Sequence, residues 1–134
     1  MSGGPIRKQR GFTLIEMVIV IAIISILLSI AVPVYTLHLR HANEAALKED
    51  LYTLRNAIDQ YTQDKSKAPQ SLDDLVSAGY LRALPKDPFT NSNTTWQPVQ
   101  EDVLQSIDQT QPGISDVHSG SEQTSTEGTA YSSW

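Results

Sequence analysis

An apolar run over residues 12–37 contains one charged side chain, Glu16. As an α-helix, a run of this length extends about 39 Å at ~1.5 Å per residue, which exceeds the ~30 Å hydrocarbon core of a bilayer. The run is also too long for the apolar region of a cleaved secretory signal, which has roughly 7–15 residues. It therefore predicts a membrane-spanning helix. The basic residues that precede it, Arg7, Lys8 and Arg10, favour a cytoplasmic N-terminus.

Glu16 is unusual in such a helix, because a carboxylate at the centre of a bilayer costs roughly 2.5–3.5 kcal/mol on insertion scales. An acid inside a membrane segment therefore indicates a function. The sequence around it, Gly11-Phe12-Thr13-Leu14-Ile15-Glu16, resembles the processing signature of the type IV pilin superfamily. The alternative is an ordinary signal anchor that happens to contain a glutamate.

The resemblance implies that residues 1–11 are a leader, which a prepilin peptidase removes by cutting after Gly11. It also implies that the new N-terminal residue, Phe12, is methylated and that Glu16 directs subunit assembly. Cleavage would create a positive amine on Phe12, and the amine of a neighbouring subunit could pair with Glu16 and set the register of the two subunits. Residues 12–37 would then be the transmembrane and assembly half of the N-terminal helix, and residues 38–134 a periplasmic domain.

The charge and composition exclude several functions for the soluble part. The chain has a formal net charge of −5, and residues 12–134 have seven basic against fifteen acidic residues, a net charge of −8. An acidic domain argues against nonspecific nucleic-acid binding, which needs clustered Lys and Arg. The chain has no cysteine, so it has neither a disulfide nor a thiolate metal site. A small domain of this kind needs another source of stability, such as docking on a long helix, a bound metal or oligomerisation.

The helical pattern continues beyond the membrane run. Apolar residues recur at intervals of three or four positions, at Leu47, Leu51, Leu54, Ile58 and Tyr61. This spacing predicts one apolar stripe on a single helix from about residue 12 to about residue 64, and a following proline, Pro69, helps to end that helix. The opposite, polar face is predicted to carry Glu44, Lys48, Glu49, Arg55, Asp59 and Gln63.

Pro33 interrupts the membrane half of this helix. A proline in a helix interior removes one hydrogen bond and costs about 3 kcal/mol, so a kink is the simpler interpretation. The pilin resemblance implies, in addition, that Pro33 occupies an assembly position near which the helix loosens inside filaments. Ser29 lies one turn earlier and could hydrogen-bond carbonyls that the proline frees.

Residues 71–79 predict a short second helix. Ser71 is a plausible N-cap, Asp74 is placed to reach back to it, and Gly79 follows the last turn. Two prolines and several turn-forming residues make residues 80–91 an ordered loop.

The last third of the chain has weaker signals. Short antiparallel strands are predicted at residues 94–97 and within residues 113–118, and residues 103–107 fit either a strand or a helical turn. The tail is rich in Ser, Thr and Gly, but Tyr131 and Trp134 are predicted to anchor it on the domain. The predicted fold class is therefore α+β, with a long N-terminal helix packed against a small domain that has a short helix and a few antiparallel strands.

The segment from Gly79 to Phe89 resembles one particular family within the type IV pilin superfamily. Its sequence, Gly-Tyr-Leu-Arg-Ala-Leu-Pro-Lys-Asp-Pro-Phe, is similar to the loop after the second helix in the major pseudopilin (G subunit) family of type II secretion systems. Together with the N-terminal signature, the similarity extends over residues 7–91. It implies a structural subunit of a filament that supports protein export across the outer membrane. Its implied partners are copies of itself, minor pseudopilins and an assembly platform in the inner membrane.

The same family resemblance implies a C-terminal loop that binds calcium. The sequence Asp116-Val117-His118-Ser119-Gly120-Ser121-Glu122 resembles the start of that loop, but the later aspartate positions have no clear counterpart. Calcium prefers about six to eight oxygen ligands, and the candidates here are Asp116, Ser119, Glu122 and Glu127. The alternative is that these residues are solvated groups on a surface loop.

Two other functions are open at this point. A type IV pilin of a surface filament, used in adhesion, motility or electron transfer, would share the N-terminal signature. A membrane-anchored enzyme is the third class, but the sequence has no nucleophile–base pair, phosphate loop or clustered metal ligands, so we expect no enzymatic activity.

Overall fold

The longest element of the computed structural model is one helix, α1, over Leu14–Lys65. The structure describes residues 3–4, 11, 13–101, 107 and 112–134. The remaining elements are α2 (Leu72–Ser77), β1 (Gln97–Gln100), β2 (Ile114–His118) and a short 3-10 helix, η1 (Tyr131–Ser133). This content confirms the predicted α+β class. The chain divides into two units, Met1–His38 and Leu39–Trp134, and α1 contributes residues to both.

The bounds of α1 agree closely with the prediction from the sequence. The helix ends one residue after the predicted position, where Ser66 adopts a positive φ of 54°, and Pro69 follows three residues later. A residue in the left-handed region is a common way for a helix to end.

In the first unit, every described residue from 13 to 38 is exposed. Apolar side chains therefore point outward on all sides of this part of α1, and the helix is long and apolar enough to cross a membrane. A helix that is apolar all round needs lipid or other protein around it. The membrane-spanning character predicted from the sequence is consistent with this exposure.

The helix continues through Pro33. Hydroxyl groups near the proline bond to carbonyls of their own helix: Ser29 Oγ donates to Ile26 O at 2.7 Å, and Thr36 Oγ1 donates to Pro33 O at 2.9 Å. Side-chain bonds of this kind add to the local hydrogen bonding around a proline. Loosening at Pro33 in a filament stays a prediction.

The second unit has its core against the apolar stripe of α1. Leu47, Leu51, Leu54 and Ile58 are buried as predicted, and Tyr61 is partly buried beside them. Against these residues pack Leu72, Leu75, Trp96, Ile114, Val117 and Tyr131. The stripe is thus the surface on which α2, the sheet and the tail assemble.

α2 begins and ends as the sequence predicts. Asp74 reaches back to the residues before the helix, where its Oδ2 accepts the backbone N–H of Gln70 at 2.9 Å and that of Ser71 at 3.2 Å. After the last turn, Gly79 has a φ of +86°, which a residue with a Cβ rarely adopts.

β1 and β2 pair antiparallel, with Gln97 opposite His118 and an irregularity between Val99 and Gln100. The second predicted strand is confirmed, but β1 begins three residues later than predicted. Residues 94–96 lie before the strand and make side-chain contacts with the preceding loop. Thr95 Oγ1 bonds to Thr90 Oγ1 at 2.6 Å, and the indole of buried Trp96 donates to Pro85 O at 2.7 Å. The prediction for residues 103–107 lies outside the described residues, apart from Ile107.

Candidate functional site

The first turn of α1 places Glu16 next to Thr13. The backbone N–H of Glu16 donates to Thr13 Oγ1 at 3.2 Å, and the N–H of Met17 donates to Thr13 O at 3.1 Å. Thr13 is therefore the N-cap of the helix, and the acidic Glu16 lies in its first turn, where a negative charge is favourable. Thr13 is absent from the residues predicted above, although a threonine three residues before a glutamate is the capping-box pattern.

Glu16 is exposed in a segment whose neighbouring side chains are almost all apolar. Because its backbone N–H, and not its carboxylate, makes the capping bond, the side chain remains available to a group outside this chain. The structure thus puts one acid on the surface of an apolar helix, close to the end at which a mature N-terminus would lie.

Gly11 is exposed, and a Cβ added to it would meet no atom within 4 Å. The surrounding structure therefore does not require glycine at this position. Any such requirement would come from an enzyme that acts on the chain. Phe12, the predicted site of methylation, lies outside the described residues.

The structure corrects the prediction for Glu44. The sequence predicts this residue on the polar face of α1, but only 5% of it is exposed. Its Oε1 accepts the Thr126 backbone N–H at 2.9 Å and the Tyr131 hydroxyl at 2.7 Å, and its Oε2 accepts the Thr126 hydroxyl at 2.7 Å. Arg40 Nε lies 3.9 Å from the same carboxylate. A buried carboxylate with three donors and a nearby cation is well compensated for its lost hydration.

These contacts determine the charge state of Glu44. Burial alone opposes the charged form, but the hydrogen bonds from Thr126 and Tyr131, together with His41, outweigh it and lower the pKa of Glu44 from 4.5 to about 2. The carboxylate is therefore ionised throughout the neutral range.

A pH dependence of stability follows. Because the pKa of Glu44 is lower in the folded chain than its ordinary value, its contribution is complete above pH 4.5 and is lost as the pH falls towards about 2. We expect the midpoint of urea unfolding, followed by tryptophan fluorescence, to fall across this window. In Glu44→Gln the fall should be smaller, because that side chain does not titrate. An equally large fall in the variant would assign the effect to other carboxylates.

Three of the four residues predicted to bind calcium have other partners in the structure. Asp116 Oδ1 accepts the Arg55 guanidinium at 2.7 Å, and Glu127 Oε1 accepts Lys48 Nζ at 3.1 Å. Ser119 is buried, and its hydroxyl donates to the fully buried carboxylate of Asp87. Glu122 is exposed.

Within the described part of the chain, no group of three or more His, Asp or Glu side chains is placed to hold a metal ion. Asp116, Glu122 and Glu127 therefore do not form the set of oxygen donors that calcium prefers, and two of them already neutralise cations. The arrangement does not fit a calcium ion bound by these four residues. Calcium binding stays a prediction from the family resemblance.

Arg55, which is predicted on the polar face of α1, connects segments of the second unit. Besides Asp116, its guanidinium donates to Val117 O at 3.0 Å and to Trp134 O at 2.7 Å. For the partner acid, burial raises the pKa, but the Val117 N–H and Arg55 outweigh this effect, and the pKa of Asp116 is lowered. The predicted anchors are confirmed: Tyr131 is fully buried, and Trp134 packs edge-on against it with ring centroids 5.1 Å apart.

Comparisons with known proteins agree with the N-terminal signature. Residues 6–32 match the family model described as the prokaryotic N-terminal methylation motif. This match covers the predicted cleavage site, the predicted methylation site and the start of α1. No solved structure gives a significant match.

Curated relatives extend the similarity into the second unit. The type II secretion system core protein G of Klebsiella pneumoniae is 36% identical over 110 residues, which cover 70% of this chain and 79% of that protein. Its counterpart in Escherichia coli K12 is 37% identical over 100 residues, covering 63% of this chain and 69% of that protein. The competence protein ComGC of Halalkalibacterium halodurans is 38% identical over 77 residues, covering 58% of this chain and 76% of that protein. The chain belongs to the family of type II secretion system core protein G, the pseudopilins.

Proposed function

We propose that this chain is the polymerising subunit of a type II secretion pseudopilus, with a structural and not a catalytic role. One observation carries the proposal: Glu16 is an exposed acid in the first turn of α1, and the mostly apolar residues 14–38 of that helix are exposed on every side. A surface of this kind needs a covering of lipid before assembly and a covering of neighbouring helices afterwards. The relatives named as core protein G favour the secretion pseudopilus over a surface pilus.

In this proposal the chain is first an inner-membrane precursor. The basic residues before α1 hold the N-terminus in the cytoplasm, and the second unit lies in the periplasm. A prepilin peptidase then removes residues 1–11 and leaves Phe12 as a methylated N-terminus. The exposed Gly11 is consistent with access for such an enzyme.

Assembly would then depend on pairing between subunits. The amine of Phe12 in one subunit and the Glu16 carboxylate of a neighbour are opposite charges in an apolar environment, where each offsets the desolvation of the other. The apolar faces add packing contacts, and the pair fixes the axial register. Minor pseudopilins and an inner-membrane platform would provide the start and the support of the filament.

Mass spectrometry of the protein purified from membranes tests the processing step. We expect a chain that begins at Phe12 with one added methyl group. In Gly11→Val we expect the full-length precursor, because a β-branched side chain next to the scissile bond should not fit the peptidase.

The matched control is Gly4→Val, a change at another exposed glycine of the leader where a Cβ also meets no atom within 4 Å. This variant should be processed like the parent chain. A parent protein that keeps residues 1–11, or a Gly11→Val protein of mature length, would remove the basis of the processing step.

A further inference from the structure

The loop from Ser119 to Tyr131 has few apolar residues, yet it is well ordered by polar contacts. Ser119, Ser121 and Ser125 are buried, and Ser125 closes a tight turn through its backbone N–H to Thr129 O at 2.7 Å. The Tyr131 N–H donates to Gln123 O at 3.0 Å, which joins the two ends of the turn. A loop of this composition needs a polar centre to hold it on the domain.

α1 supplies that centre. Arg40, Glu44 and Lys48 are four residues apart, so they lie on one face of the helix. Glu44 accepts the three hydrogen bonds from Thr126 and Tyr131 described above. Arg40 donates to Thr124 O through Nη2 and to the Tyr131 hydroxyl through Nε, and Lys48 pairs with Glu127 at 3.1 Å. Three consecutive turns of α1 thus hold consecutive parts of the loop.

The start of the loop is held by the segment that contains Asp87 and Phe89. The hydroxyl of Ser119 donates to Asp87 and accepts the Ser121 N–H at 3.2 Å. The ring of Phe89, in the same loop as Asp87, stacks on Tyr131 with centroids 3.8 Å apart. Among the described residues that are not exposed, no buried side-chain nitrogen or oxygen lacks a hydrogen-bond partner.

The polarity of this arrangement is opposite to that of a calcium loop. A calcium loop directs carbonyl and carboxylate oxygens, which are acceptors, towards a cation. This loop directs donors, the Thr126 N–H and two hydroxyls, towards an anion. A cation at this point would meet Arg40 and Lys48, which already neutralise Glu44 and Glu127.

We propose that the Glu44 carboxylate replaces a metal ion as the centre of the C-terminal loop, so that the second unit folds and persists without calcium. This inference does not rest on the proposed function, since it concerns only the second unit. It is also consistent with the separate partners of three predicted calcium ligands, Asp116, Ser119 and Glu127.

The first test is the thermal unfolding of the full chain in detergent micelles, followed by circular dichroism. Unfolding is measured with excess EDTA and with about 1 mM calcium chloride. We expect the two Tm values to agree within about 1 °C. A calcium ion bound with a Kd of about 10 μM would raise Tm by about 10 °C or more, because the free ion would exceed its Kd a hundredfold. A rise of that size would overturn the proposal.

The second test removes the negative charge of the Glu44 side chain. Glu44→Gln keeps the shape of the side chain, but it replaces one acceptor oxygen by a donor group that faces the donors of Thr126 and Tyr131. We expect Tm to fall by about 6 °C or more, since hydrogen bonds to a charged group are among the stronger ones. The matched control is Glu49→Gln, which removes an exposed acid from the same helix and should change Tm by less than about 1 °C.

Equal Tm values for Glu44→Gln and the parent chain would show that the carboxylate is not the centre. If Glu44→Gln does not fold, Tyr131→Phe removes the hydroxyl that donates to Glu44 and accepts from Arg40, and it keeps the ring stacked on Phe89. This variant should lower Tm by a few degrees, again with no response to calcium. A Tyr131→Phe protein that calcium restores to the parent Tm would also contradict the proposal.

Discussion

Glu16→Val is expected to abolish incorporation into filaments while membrane insertion and leader cleavage remain intact. Valine removes the charge but keeps the backbone N–H that donates to Thr13 Oγ1, so the start of α1 is preserved. The apolar substitution favours insertion, because a carboxylate in a membrane helix opposes it. The variant loses only the group that would pair with the amine of a neighbouring subunit. That neighbour then has an unpaired charge in an apolar surrounding, which is strongly unfavourable.

The measurement compares filaments isolated after the outer membrane of the cells has been opened with the amount of processed subunit in the inner membrane. We expect normal levels of mature Glu16→Val subunit and no filaments. The control is Ser25→Val, which removes another polar group from the same exposed segment. The Ser25 hydroxyl donates to Ile21 O of its own helix, at 2.8 Å. This control should assemble normally. A normal filament yield from Glu16→Val would refute the pairing mechanism.

Gly120→Ala is expected to destabilise the second unit severely. A Cβ at Gly120 would lie 2.1 Å from Thr95 O and 3.0 Å from Thr95 C, and backbone atoms of this kind cannot move away alone. The turn that contains Thr95 leads directly into buried Trp96, so a shift there disturbs the core. Overpacking of this kind costs about 3 kcal/mol or more, a large part of the ~5–15 kcal/mol that stabilises a typical domain.

Urea unfolding followed by tryptophan fluorescence measures this effect. The matched control is Gly128→Ala, where φ is +85° but a Cβ meets nothing within 4 Å. That variant is destabilised only by the strain of its backbone at positive φ, by about 1 kcal/mol. If the two variants unfolded at the same urea concentration, the close approach of Gly120 to Thr95 would not be a feature of the folded protein.

Local patterns in the sequence predicted the helices well, for identifiable reasons. The apolar spacing from Leu47 to Ile58 is determined by the helical repeat, and the ends of α2 by the short-range chemistry of Asp74 and Gly79. The processing signature is also local. These features involve residues a few positions apart, so the sequence alone contains the necessary information.

Polar residues with distant partners were not predictable in the same way. Glu44 was assigned to the solvent because it is charged, although its position three residues before Leu47 continues the buried stripe. Its burial depends on donors at residues 126 and 131, and no local pattern indicates them. Asp87 is similar: its residue type suggests only a turn, but it is fully buried, and its carboxylate accepts a hydrogen bond from Ser119, which lies 32 positions away.

The long sequence separation of the Glu44 contacts has a consequence for the order of folding. Its donors follow it by 82 and 87 residues, so the second unit cannot close until residue 131 has been synthesised and has reached the helix. Until then the stripe from Leu47 to Ile58 is uncovered, because most of its partners are also later in the chain. Contacts between such distant residues form slowly, since closing a long loop is costly in entropy. A nascent subunit therefore has an apolar helix surface that is completely covered only when the last residues of the chain have been synthesised.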